Sequence, residues 1–176
     1  MKNPFKTLKL LLFFSIILQS CAEPADKFFG VAILNTNTIT DFATPILAKH
    51  ISDEAVEYPN IPSSKKKGDE ALNYVQNQIL YMEKSLKDIK ALSENGDNRK
   101  ELKAQAISLY EYVIPVYKNE YSAYAKLCDA KGPTIQKEEI IDTISKRYTT
   151  EFEKRYTLLM SNGKAFAEAN KLNVSW

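Results

Sequence analysis

The chain has 176 residues, with 24 Lys+Arg against 22 Asp+Glu, one His, two Cys and five Gly. At 44% hydrophobic and 26% charged residues it can bury a core, and its length suits one domain plus a short extra segment. Wholesale disorder is excluded, and so are zinc fingers, His-rich metal centres and a disulfide framework.

Residues 1–21 read MKNPFKTLKLLLFFSIILQSC. Lys2, Lys6 and Lys9 form a positive start, and Leu10 to Leu18 form a short apolar run. That run suits a signal peptide and is about half of what a spanning helix needs. It ends in Leu18-Gln19-Ser20-Cys21, which resembles the bacterial lipobox, with Gln19 a less usual residue at its position. The resemblance implies cleavage after residue 20, a diacylglycerol thioether on Cys21 and acylation of its new amine. Such an anchor holds through ~0.8 kcal/mol per buried CH₂, and two or more chains make it nearly permanent. Ala22, where many Gram-negative bacteria use Asp for inner-membrane retention, favours the outer membrane. Loss of the three leader lysines leaves 21 Lys+Arg against 22 Asp+Glu, a net charge of −1 with no basic excess for nucleic acid. With Cys21 acylated, Cys128 has no partner and reads as a small buried hydrophobe.

Residues 21–36 then read as a tether and a lead-in, in which the apolar run Phe28–Leu34 fits either a strand or a helix start. From Ile39 the spacing is helical: Ile39, Phe42, Ala43, Ile46, Leu47 and Ile51 share one face, with Pro45 marking a kink or a new start. This predicts a first helix over about 37–57. Asn60–Gly68 is a linker whose three lysines, Lys65–Lys67, read as solvated.

Leu72, Val75, Ile79, Met82, Leu86 and Ile89 step by threes and fours, predicting a helix over about 68–94 that Gly96 closes. The next helix, about 98–130, opens with a capping arrangement of Asn98 and Glu101 and bends at Pro115. Gly132-Pro133 ends it. Thr134 reads as the cap of a last helix, about 134–171, whose face is Ile141, Ile144, Tyr148, Phe152, Leu159, Gly163 and Phe166. Gly163, unfavourable inside a helix by ~1 kcal/mol, implies close packing against a neighbour. Four amphipathic helices with short connections predict an all-α, up-down-up-down four-helix bundle over 37–176.

Catalytic signals are missing from this pattern. A di-iron bundle needs two Glu-x-x-His pairs, and the one His, His50, follows Leu47 by three. A c-type haem needs Cys-x-x-Cys-His. A haem held by His50 with Met82 or Met160 competes with Met as core filler. His50 and Glu54 are one helical turn apart and read as a surface pair. No cofactor, no metal and no enzymatic activity are expected.

The positive feature is tyrosine. Tyr110, Tyr117, Tyr121 and Tyr124 lie along one helical stripe, with Tyr112 nearby. Such a stripe reads first as bundle core and second as a recognition face, since Tyr supplies rigid area at interfaces.

The lipobox followed by four helices resembles a family of uncharacterised bacterial surface lipoproteins with helical-bundle ectodomains. The resemblance rests on YEYVIPVYKNEYSAY and EEIIDTISKRYTTEFEKRYTLLMSNGKAFAEANKL and covers about 100 residues. It implies the bundle and the anchor and transfers no activity and no site residues. The expected function is therefore a lipid-anchored, non-enzymatic binding module using the tyrosine face. The alternative is a small-ligand carrier with a tyrosine-lined cleft between helices kinked at Pro45 and Pro115. Expected partners are the membrane through Cys21 and an envelope protein, with self-association as a further case.

Overall fold

A computed structural model describes residues 22–175, and all its regular elements are helical. Cys21, the leader and Trp176 lie outside the described residues. In chain order the elements are α1 (Ala25–Ala32), a 3-10 turn (Leu34–Ile39), α2 (Pro45–Glu54), a short 3-10 turn (Pro62–Ser64), α3 (Glu70–Ala91), α4 (Arg99–Val116), a π-turn (Tyr117–Tyr121), α5 (Ser122–Asp129) and α6 (Thr134–Ala169). The three later sequence segments match α3, the continuous α4–π–α5 rod, and α6.

The first segment differs from expectation. Of the two readings of Phe28–Leu34 the helix holds, in α1, and the helix already starts within the polar stretch at Ala25. Phe28, Phe29, Ala32, Ile33 and Ile39 are all buried, so residues 25–39 are part of the core. The single helix over 37–57 is instead a 3-10 turn, a bend and a shorter α2. Threonine chemistry accounts for the break. The Thr36, Thr38, Thr40 and Thr44 hydroxyls donate to the carbonyls of Ile33, Asn35, Asn37 and Asp41, each three residues back. Side chains that bond the local backbone in this way compete with a regular α-helical ladder. Pro45 then starts α2 at its first position, where its missing N–H costs nothing, and Thr44 Oγ1 accepts from the Leu47 N–H. Ile46, placed on the buried face by the spacing, is 54% exposed.

Two expected caps also differ. Asn98 has φ +62° and makes no side-chain cap bond, and α6 begins at Thr134 itself with Pro133 before it. Gly96, at φ +115°, sits in the turn after α3 rather than at the helix cap, which is Leu92.

Contacts fix which ends meet. The α3 helix packs on α4, α5, α2 and α1, while α6 packs on α4 and α5. The Asp129 carboxylate, at the end of α5, accepts from the Ala71 and Leu72 N–H groups in the first turn of α3 at 3.0 Å each. At the far end of α3, the Ser93 N–H donates to Glu23. Phe166, near the end of α6, packs on Phe28 (5.4 Å between ring centres) and stacks on Phe29 (6.5 Å). The α3 helix has 22 residues, so these two ends of the molecule lie ~33 Å apart. Gly163 meets the expectation of close packing: a Cβ there would stand 3.2 Å from Ile33 Cγ2.

Candidate functional site

The four candidate binding tyrosines come together, but inside. Tyr110, Tyr117, Tyr121 and Tyr124 are 0%, 2%, 1% and 6% exposed. The stripe is core, as its first reading had it, and these rings form no exposed recognition face. Pro115, which cannot donate to the helical ladder, is followed by the π-turn rather than by a splayed helix. The Ser122 hydroxyl donates to the Tyr117 carbonyl across that wide turn. Tyr117 and Tyr121, whose ring centres are 4.9 Å apart, both reach the centre there. They pack around Phe42, which also touches Tyr112, Tyr148 and, at 4.9 Å, Phe152. Phe42 was legible as apolar and its place at the hub was not.

Three of the four hydroxyls are hydrogen-bonded. Tyr110 donates to the Asn35 carbonyl (2.9 Å) and Tyr124 to the Ala48 carbonyl (3.2 Å). Tyr121 instead accepts from the buried Ala43 N–H at 3.0 Å. Ala43 has φ +59°, a left-handed conformation that a non-glycine residue holds only when its surroundings enforce it. Burial pushes all four hydroxyls up, Tyr110 and Tyr124 to about 12. Such groups stay neutral near neutral pH, where a proton-transfer catalyst needs a value close to the working pH.

Of the rings expected to line a cleft, those of Tyr110, Tyr117 and Tyr121 are almost fully enclosed. Tyr124 borders an open groove with Pro45, Ala48, Thr134 and Ile141, and its ring is still 6% exposed. A second groove lies between α4 and α6, lined by Ala104, Ser108, Tyr112 and Arg155. There the Arg155 guanidinium donates to Ser108 Oγ, pairs with Glu151 at 2.7 Å and lies over the Tyr112 ring at 5.0 Å. These contacts tie the two helices together.

The start of α3 resembles an anion cup, but the carboxylates of Asp129 and Glu70 already fill it. Glu70 accepts from the N–H groups of Lys67, Gly68 and Asp69, which hold its carboxyl down at about 2. Cys128 is buried and burial raises its thiol, whereas a nucleophilic thiol needs a lowered value. His50 is exposed on α2, and the ion pair recorded on that helix joins Lys49 to Asp53. Among the described residues no group of three or more His, Cys, Asp or Glu is placed to hold a metal. Among the same residues no helix is long and apolar enough to cross a membrane.

Two features escaped the sequence reading. The first is a clamp: Glu23 accepts from the Ser93 N–H at 3.1 Å and from Arg99 Nη1 at 3.2 Å. The two side chains are 16% and 10% exposed, and the guanidinium lies 4.9 Å over the Phe28 ring. The second is at the other end of α3, where the loop after α2 exposes Val56, Tyr58 (59%) and Ile61 (51%). The pairs Tyr58-Pro59 and Ile61-Pro62 were the available signal, because Pro holds a chain out of the helical ladder. Compared with protein-family models, with curated proteins and with solved structures, the chain shows no match.

Proposed function

We propose that this chain is a lipid-anchored envelope lipoprotein whose four-helix bundle acts as a non-enzymatic interaction module, tethered to the outer membrane through acylated Cys21. In this reading residues 25–54, α3, the α4–π–α5 rod and α6 are the four rods, running up-down-up-down. The observation that carries it is polarity of the molecule. Glu23, two residues from the lipobox cysteine, is fixed at one end of α3, while Tyr58 and Ile61 stand in solvent at the other. Large apolar side chains kept in water at the end away from the anchor suit a protein partner, and Tyr is enriched at such contacts. This moves the binding role from the buried stripe of Tyr110, Tyr117, Tyr121 and Tyr124 to the 55–67 loop.

The test is photo-crosslinking in intact cells with a benzophenone amino acid at Tyr58 or Ile61, and at Lys84 on the exposed side of α3 as a control. A discrete envelope-protein adduct from 58 and 61 but not from 84 supports the module. Adducts with the chain itself alone would replace a hetero-partner with self-association. Equal, diffuse labelling at all three positions would refute a binding end.

A further inference from the structure

The distance from anchor to fold is set by covalent geometry, since Cys21 and Glu23 are two residues apart and a chain spans at most ~3.6 Å per residue. An acylated Cys21 thus lies within ~7 Å of the Glu23 backbone, and Glu23 is not free.

Its carboxylate is held by the Ser93 N–H and by Arg99, in a pair that is largely shielded from water. Hydrogen bonds to charged groups in such surroundings are stronger than neutral ones. The partners are themselves braced. Arg99 lies over Phe28, and Phe28 and Phe29 pack on Phe166 of α6. Lys103 Nζ donates to the Leu92 carbonyl at 2.8 Å and pairs with Glu94 at 3.2 Å, which closes the turn from the other side. Residues 23, 28, 93, 99 and 166 therefore form one rigid end.

We infer that this end of the domain, with the exposed turn Glu94–Asn98 between α3 and α4, seats directly on the lipid headgroups, so that the Glu23–Arg99 clamp sets a fixed orientation with the 55–67 loop ~33 Å away from the surface. This rests on the lipid anchor proposed above. The occupant is a lipid surface because the chain remaining between the clamp and the acyl chains leaves room for nothing else. The contact is at headgroup level and not an insertion. Glu94, Asn95, Gly96, Asp97 and Asn98 are all exposed and polar or small, and the exposed large hydrophobics of the described residues stand elsewhere. Two acidic and two basic side chains in 94–100 (Glu94, Asp97, Arg99, Lys100) give no net charge, so the anchor and the clamp hold the end down rather than attraction to anionic lipid.

The test uses the full protein made and acylated in cells, then reconstituted into phosphatidylethanolamine–phosphatidylglycerol vesicles. In a Cys128→Ala background, a fluorophore is placed at Asn95→Cys or at Ile61→Cys, and vesicles carry a nitroxide on the headgroup or deep on the acyl chain. Flotation is scored first. Co-flotation with headgroup quenching at 95, no quenching at 61 and no chain-level quenching at either position is the expected result. Glu23→Ala, or ten Gly/Ser residues inserted before Glu23, should keep flotation and lose the quenching at 95. Co-flotation with equal signals at 95 and 61 would overturn the fixed orientation and leave the anchor standing. Failure to float would overturn the anchor and this inference together.

Discussion

Three tyrosine-to-phenylalanine changes remove the same oxygen from the same buried stripe, and the structure assigns them different costs. In Tyr121→Phe the lost oxygen is the acceptor for the Ala43 N–H, which is buried and has no other hydrogen bond among the described residues. Stranding a buried donor costs ~1–3 kcal/mol. In Tyr124→Phe the lost group is a donor to the Ala48 carbonyl, inside α2, where the helical ladder already supplies a partner. In Tyr110→Phe the Asn35 carbonyl still accepts from the Thr38 hydroxyl at 2.9 Å. Each of these two should lose no more than an ordinary net hydrogen bond, ~0.5–1.5 kcal/mol. For a domain of this size ~2–4 °C of Tm accompanies each kcal/mol. Thermal unfolding followed by circular dichroism should rank Tyr121→Phe clearly below the other two, with the same helical signal before melting. A Tyr121→Phe loss no larger than that of Tyr124→Phe would refute the claim that its hydroxyl holds Ala43 in its left-handed conformation.

Asp129→Ala strips the cap from the first turn of α3 and should cost ~1–2 kcal/mol in a denaturant titration. Gly163→Ala should not deliver the usual helix-propensity gain of ~1 kcal/mol, because its Cβ meets three Ile33 atoms at 3.2–3.4 Å; Gly163→Leu should lose ~1–3 kcal/mol by overpacking. The buried tyrosine hydroxyls have folded pKa values above their unfolded one, so the stability they lend is intact below about pH 10 and drains away as pH rises toward about 12. Tyr110 alone accounts for ~1.4 kcal/mol per pH unit in that window, and alkaline unfolding should coincide with tyrosinate absorbance at 295 nm. Glu70 has the opposite sign: its folded pKa is lowered to about 2, so its contribution is present above about 4.5 and is lost as pH falls between the two. The Tm gap between the parent and Glu70→Gln should close over that acidic range.

The three long rods were readable because each repeats an apolar residue every three or four positions for many turns, and burial then decides the structure. Val75, Met82 and Ile89 on α3, and Ile144, Phe152, Leu159 and Phe166 on α6, lie where that spacing put them. The first fifty residues resisted because local hydrogen bonds outweigh period there. Four threonines turn 33–44 back on itself, and Phe28–Ile33 is too short for its period to separate helix from strand. The tyrosine stripe was legible as a stripe. Its inward direction was the first reading of that spacing and burial agrees with it, whereas the π-turn after Pro115 has no composition signal. The Glu23–Arg99 clamp joins residues 76 positions apart, and pairing over such a distance is a property of the packed fold.

The anchor is the claim on which the functional account depends, and mass spectrometry of the mature amino terminus tests it most directly. The account predicts that the first tryptic peptide of the membrane-bound protein is Cys21–Lys27, carrying diacylglycerol on sulfur and a fatty acyl group on its amine. Cys21→Ala should abolish both and release the protein from membranes. An unmodified Cys21, or a mature chain that still carries residues 1–20, would contradict it.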